Sequence, residues 1–508
     1  MIPSESRASL GEVADTPVEQ SGPPSRTDFV YVDIGSIDRE RKMIVAAQTV
    51  PADVAPSRAR QCLKAGDVLV SMTRPNLNAV AIVPANLDGA IGSTGFHILR
   101  SKWMVPEYLY FLVQSHDFIE AMCAVVQGAL YPAVRPRDIN AFEIRIPPRA
   151  KQTRIVDKLE ELLSDLDAGV AELKAAQKKL AQYRQSLLKA AVEGRLTEAW
   201  RAQHEEHEES GAQLLARILR ERRARWEAKQ LAKFEAQGNV PSAGWHDKYS
   251  APLTADKAAL QELPKGWIWT TIDSLISEIQ TGKSFKCEER PPRAGEIGVA
   301  KVCAVSWGDY NERESKTCLE GDKLNPSLFI RQGDFLFSRA NTVELVGACV
   351  IAEHVSMRVM LSDKTLRFVF VVELMKHWLL FFLRSEFGRK QIELLASGNQ
   401  ESMRNIGQER IRQIAVPLPP AKELDEAIRN LATAFGEATA QEEAIRTSLR
   451  QSAAQRKNIL QAAFSGQLVP QDPNDEPASV LLERIRAERT QHAARSKPDA
   501  RKKRAALS

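Results

Sequence analysis

Eight histidines, six cysteines and scattered acidic pairs are the residues of this 508-residue chain that could do covalent or acid–base chemistry, and their spacing arranges none of it. His97 and His354 lie in or beside apolar stretches, where a hydrogen-bonded structural imidazole is expected rather than a general base. Glu288 and Glu289 pair two carboxylates, the raw material of acid–base catalysis, within a charged and solvated loop. The cysteines at 62, 123, 287, 303, 318 and 349 form no CxxC pair and have no histidine at ligand spacing. That argues against a zinc site or a disulfide framework and fits a reducing cytoplasm. Phosphate-loop, GxGxxG, GxSxG, HExxH and kinase signatures are missing. Asp472-Pro473-Asn474-Asp475 comes nearest to the Asn/Asp-Pro-Pro-Tyr/Phe motif of amino-methyltransferases, and it lacks the second proline and the aromatic. The chain is expected to be no enzyme by itself, with no metal and no cofactor.

What the sequence does contain is one segment twice. IRIPPRAKQTRIVDKLEELL around Pro147 answers AVPLPPAKELDEAIRNLATAF around Pro419, and RQSLLKAAVEGRL (184–196) answers RKNILQAAFSGQL (456–468), both at a constant offset of 272 residues. The copy reaches upstream, where Gly66-Asp67 and Ser71 match Gly333-Asp334 and Ser338, and downstream, where LLARILRER (214–222) matches LLERIRAER (481–489), both at an offset of 267. A period this long is no solenoid; it is a duplicated half-protein with approximate two-fold symmetry.

Pro147 closes the strand-like run Phe142–Ile146 and opens a helix, because the residue before a proline is pushed out of the α region. Ile155, Leu159, Leu162, Leu166, Gly169, Leu173, Ala176, Leu180, Tyr183, Leu187 and Ala190 then step by four and three, a heptad seam. These residues make a rod of roughly 54 Å at 1.5 Å per residue. A rod with an apolar stripe needs a partner, and the copy supplies one in Ala427, Leu431, Ala434, Ala438, Gln441, Ile445, Ser448, Ser452, Gln455, Ile459 and Ala462. The smaller second seam suits the larger knobs of the first, so the two helices are expected to pair antiparallel within one chain rather than in a homodimer.

The expected organisation is an α/β domain over 1–146, a long helix over 147–196, and a charged helix with a Pro/Ser/Ala linker over 197–262. A second α/β domain (263–417), a second long helix (418–468) and a C-terminal helix with a basic tail (469–508) follow. MKHWLLFFL (375–383) is too short to span a bilayer and reads as a buried helix, so no membrane is expected. The net charge of +5, with 70 basic against 65 acidic residues, permits a nucleic-acid partner without demanding one.

The Pro-Pro helices, the paired AAVEGRL and AAFSGQL ends, Leu263-Pro-Lys-Gly-Trp267, the run Gly333–Asn341 with Glu344-Leu-Val-Gly347, and Leu361-Ser-Asp-Lys364 together resemble the specificity subunit of type I restriction-modification systems. The first domain departs from that pattern, opening at Leu10-Gly-Glu-Val-Ala14 without an LPxGW lead-in. The resemblance implies an α+β fold of two target-recognition domains joined by two antiparallel coiled-coil helices. It implies double-stranded DNA read as two half-sites, two docked methyltransferase subunits, and motor-nuclease subunits for cleavage. A rod of roughly 54 Å covers at most about sixteen base pairs, and unlike halves imply unlike half-sites.

On that footing base edges are read by Arg, Lys, Asn, Gln and Ser while other cations hold phosphates. The candidates in the first domain are Arg74, Asn76, Asn78, Tyr131, Arg135 and Arg137. In the second they are Lys283, Ser284, Lys286, Arg290 and Arg293, then Trp307, Tyr310, Arg339, Asn341, Arg404 and Asn405. A coiled-coil scaffold without DNA readout is the alternative; it accounts for the helices but not for two large, similar domains.

Overall fold

The structure is a computed structural model describing residues 6–14, 18–23, 27–126, 132–204, 209–256, 258, 260–320, 325–400 and 403–505, with side chains for all of these but 399, 400 and 492–505. It divides into two compact units, Met1–Ala175 with Ile445–Ser508, and Ala176–Ala444. The long helices are α1 (Arg149–Val192), α2 (Gly211–Ala236), α3 (Ala421–Phe464) and α4 (Ala478–Ala505).

Each Pro-Pro pair starts a long helix, with Pro148 O accepting from Gln152 N and Pro420 O from Leu424 N, both at 2.9 Å. Each helix stops one residue short of a left-handed glycine, Gly194 at φ +73° and Gly466 at φ +83°. Arg195 N bonds Ala190 O at 2.8 Å and Gln467 N bonds Ala462 O at 2.9 Å, the six-to-one closure that satisfies the last carbonyls. Asp167 of α1 meets Arg456 of α3 in the first unit, and Arg184 meets Glu442 in the second, both at 2.6 Å. Numbers rise along one helix as they fall along the other, so the pairing is antiparallel.

The seam drifts from its expected register. Tyr183 is 48% exposed, and Gln441 and Gln455 are exposed too, while Leu163 and Leu188 are buried. A 3.6-residue helix slips against a strict heptad repeat, and the domain cores claim the helix ends. Ile155, Leu159 and Leu163 join the first unit's core; Leu188, Ala191 and Val192 join the second's.

The domains share one plan. In the first unit the strand Val68–Ser71 lies between Phe96–Leu99 and Val80–Ile82; in the second, Phe335–Ser338 lies between Thr365–Phe370 and Cys349–Ile351, all antiparallel. Gly66 and Gly333 turn into these strands at φ +85° and +84°. The aspartate after each glycine takes an arginine from or just past the neighbouring strand: Arg100 Nε to Asp67 Oδ1 at 2.6 Å, and Arg367 Nη1 to Asp334 Oδ2 at 2.7 Å. The repeated Gly-Asp is therefore a turn and a staple.

The LLxRI repeats are also cores. Leu214 and Ile218 pack into the second unit, and Leu481, Leu482 and Ile485 into the first. Leu374–Arg384 is a buried helix, and among the described residues no helix is long and apolar enough to cross a membrane.

Candidate nucleic-acid interface

In the first unit two loops are laced together. Arg74 N bonds Pro132 O and Val134 N bonds Met72 O, each at 2.8 Å, and Thr73 bridges Ala133. Arg74 and Asn76 are exposed on one loop, Arg135 and Arg137 on the other. The lacing thus brings four of the candidates to one surface. Tyr131 lies outside the described residues.

Among the described residues three non-glycine residues have positive φ, Lys42 (+55°), Arg74 (+49°) and Asn78 (+43°), and Lys42 joins the loop that the other two bracket. Lys42 Nζ donates to Asn78 O at 2.5 Å and to Asn78 Oδ1 at 3.2 Å. Asn78 itself is buried and donates Nδ2 to Val113 O at 2.8 Å. It holds the loop from behind rather than facing outward. Left-handed backbone costs about 1–3 kcal/mol per residue and persists where surroundings over-determine it, as at ligand-contacting loops.

Burial, aided by the Arg456 charge, lowers Lys42 from its ordinary 10.5 to about 8. Between those values the unfolded chain holds a proton that the folded unit has released, so stability rises with pH across that window. The expected result is an unfolding midpoint that climbs from pH 8 to 10 more steeply in the natural chain than in Lys42→Met; equal slopes would refute it.

The second unit repeats the lacing. Ile406 N bonds Arg339 O at 2.9 Å, Ala340 pairs with Asn405, and Asn341 pairs with Arg404. Arg339 Nε lies 3.4 Å from Asn405 Oδ1, and Arg404 Nε is buried with no hydrogen-bond partner among the described residues. Asn341 also lines a cleft of about 710 Å³ with Lys283 and Ser284. Lys301, Lys316 and Lys364 line it too, and sequence reasoning missed these three. Lys316, paired with Glu289, sits in the strand Ser315–Cys318 and Lys301 just after Gly298–Ala300; only Lys364, inside the Leu361–Lys364 motif, carried a signal.

The remaining candidates do not converge there. Lys286 is exposed, but its backbone N–H is fixed by Glu320 at 2.8 Å. Arg290 is spent on Glu296, at 2.6 and 2.8 Å, and on Glu288 at 2.9 Å. Arg293 is exposed beside that knot. Trp307 donates Nε1 to Glu344 O at 2.8 Å and carries Arg389 over its ring at 4.8 Å. The Tyr310 hydroxyl is buried without a partner among the described residues, and burial raises its pKa. His97, buried beside Asn140 at 2.8 Å with its pKa lowered by desolvation, is a structural imidazole. No group of three or more metal-ligating side chains occurs among the described residues.

No family model matches the chain. It is 26% identical over 404 residues to the type I restriction enzyme EcoEI specificity subunit of Escherichia coli, covering 70% of this chain and 65% of that one. It is 25% identical over 421 residues to the EcoKI specificity subunit of Escherichia coli K12, covering 80% and 76%. A chain from the solved assembly described as the structural basis of complex assembly and conformational transition of the type I R-M system matches at TM-score 0.63 and 24% identity. That match covers 92% of this chain and all of the other, and it bears on the fold.

Proposed function

We propose that this chain, which belongs to the specificity subunits of type I restriction-modification systems, reads an asymmetric bipartite DNA site with residues 1–146 and 263–417 as its two target-recognition domains. One observation carries the reading: the same backbone lacing presents different side chains in the two units. The bond from Val134 N to Met72 O recurs as Ile406 N to Arg339 O, and Arg74 stands where the second unit has Asn341. Arginine pairs best with guanine O6 and N7, asparagine with adenine N6 and N7, so a shared scaffold with exchanged readers suits unlike half-sites.

Helices α1 and α3, within 147–196 and 418–468, serve as the spacer between the readers. Their exposed middles offer places for two methyltransferase subunits, and motor-nuclease subunits complete the assembly in the cytoplasm. The chain itself catalyses nothing; a partner flips and methylates the base, against an unstacking cost of a few kcal/mol. Single-molecule methylome sequencing of cells with and without the gene tests this. A two-part, non-palindromic methylated motif should vanish on deletion, and an unchanged set of motifs would overturn the reading. The purified chain with S-adenosylmethionine and DNA should leave the DNA unmethylated, and native mass spectrometry of the assembled complex should show two methyltransferase copies per chain.

A further inference from the structure

The six cysteines are free thiols, and nothing in their spacing pairs any two of them. A sheet of the second unit does. Its edge strand Cys287–Glu288 lies antiparallel on Ser315–Cys318, which lies in turn on Gly298–Ala300. Cys287 and Cys318 stand directly opposite each other in that ladder.

The hydrogen bonds of the ladder fix the kind of opposition. Leu319 N bonds Lys286 O at 3.0 Å, one step outside the pair, while Cys318 N turns the other way to Ile297 O at 2.8 Å. Cys287 and Cys318 are therefore a non-hydrogen-bonded pair, the closer of the two antiparallel kinds, with Cα atoms about 4.5 Å apart and side chains on one face. A disulfide spans Cα separations of about 4.4–6.8 Å, so the bond needs no backbone movement.

The other cysteines have no such neighbour among the described residues. Cys62 pairs with Ile91 and Cys349 with Phe337 in their ladders, and Cys123 and Cys303 lie in helical turns. Cys303 Sγ donates instead to Glu314 Oε2 at 3.1 Å. Cys287 and Cys318 are half-buried against Phe285, Ile297, Val299 and Phe329, an apolar floor that suits a disulfide. Cys287 also lines the cleft of about 710 Å³, which gives a small reagent its approach. Burial, then the facing Cys318, raise the Cys287 pKa, so it stays a thiol near neutral pH and oxidises slowly.

We propose that Cys287 and Cys318 are a site of reversible oxidation, forming a cross-strand disulfide that locks the edge strand beside the cleft wall of Lys283, Ser284 and Phe285. The oxidant is a small-molecule disulfide. One cysteine thiolate attacks its sulfur and releases one thiol; the other thiolate attacks the protein-bound sulfur, forms the Sγ–Sγ bond and releases the second thiol. Two protons and two electrons pass from the cysteine pair to the oxidant, and excess thiol reverses both exchanges. The bond closes residues 288–317 into a loop and so restricts the unfolded chain. The site stands on the ladder and not on the DNA reading, so either can fail alone.

The test incubates the full chain with oxidised glutathione, alkylates the remaining thiols and digests with trypsin. Trypsin separates Cys287, Cys303 and Cys318 into peptides 287–293, 302–313 and 317–323. Mass spectrometry should find 287–293 joined to 317–323, with 302–313 outside the cross-link, and dithiothreitol should release the pair. Oxidation should raise the unfolding midpoint of the second unit by roughly 5–15 °C. It should also slow hydrogen exchange across 283–290. Cys318→Ser should lose the cross-link and both of these changes. Glutathione held on Cys287 or Cys318 without a cross-link, or a cross-link joining any other pair, overturns the proposal. A cross-link that moves neither the midpoint nor the exchange overturns the locking role.

Discussion

Exchanging residues 263–417 for the corresponding domain of a relative should change one half of the methylated motif and leave the other half and the spacing untouched. The effect is all-or-none at the exchanged half, because the lacing that carries Arg339, Asn341, Arg404 and Asn405 lies wholly within the exchanged segment. Inserting one heptad into both α1 and α3 should do the reverse. Both half-sites persist and the spacer grows by about three base pairs, since seven helical residues add roughly 10 Å and preserve the seam. Methylome sequencing reads both results. A swap that alters both halves together, or neither, rules out independent reading by the two domains.

The second large effect concerns Glu423, at the root of α3. Its carboxylate is fully buried and accepts from Thr197 Oγ1 at 2.7 Å, Arg201 Nε at 2.9 Å and Trp267 Nε1 at 2.9 Å. Three donors from two segments close on one acid, fixing the short helix Glu198–Gln203 that follows α1 and the entry to the second domain. Glu423→Ala leaves Arg201 Nε and the indole N–H without their acceptor, though Arg201 Nη2 keeps the Gly194 carbonyl, and should cost about 3–5 kcal/mol, the usual penalty for stripping one partner from a buried pair. Thermal unfolding should show the second unit melting well below its natural midpoint while the first is unmoved. A shift within about 0.5 kcal/mol, the range of ordinary surface changes, would refute the role assigned to that network.

Local rules made much of the fold legible. The Pro-Pro starts, the Gly194 and Gly466 stops and the Gly66 and Gly333 turns each follow from one residue's backbone preference. The repeat disclosed the common plan because related sequences meet the same packing. The buried faces of the long helices were less legible, since Leu163 and Leu188 are inside and Tyr183 outside by virtue of domain contacts that no heptad count contains.

The candidate surfaces divide in the same way. Arg74, Asn76, Arg339 and Asn341 follow the repeated strands closely enough that their place on the laced loops was legible from sequence. Asn78 and Arg290 have the right chemistry but are consumed by Lys42 and Glu296, partners that sidedness alone decides. Lys301, just past one strand, and Lys316, within the next, reach the cleft from positions remote in sequence from Lys283, so only the tertiary fold assembles them.

The two units also differ in how they are threaded. The second is one continuous stretch, Ala176–Ala444, whereas the first joins Met1–Ala175 to Ile445–Ser508, and its core includes Leu460, Leu481 and Ile485. During synthesis at about 5–20 residues per second, the ribosome therefore spends roughly 14–54 s on the second unit while the first stands open. The start of the chain is made first and finished last. Its apolar face must stay out of aggregates for that interval, so translation rate and holding chaperones should govern the yield of this protein more strongly than the final stability of either unit.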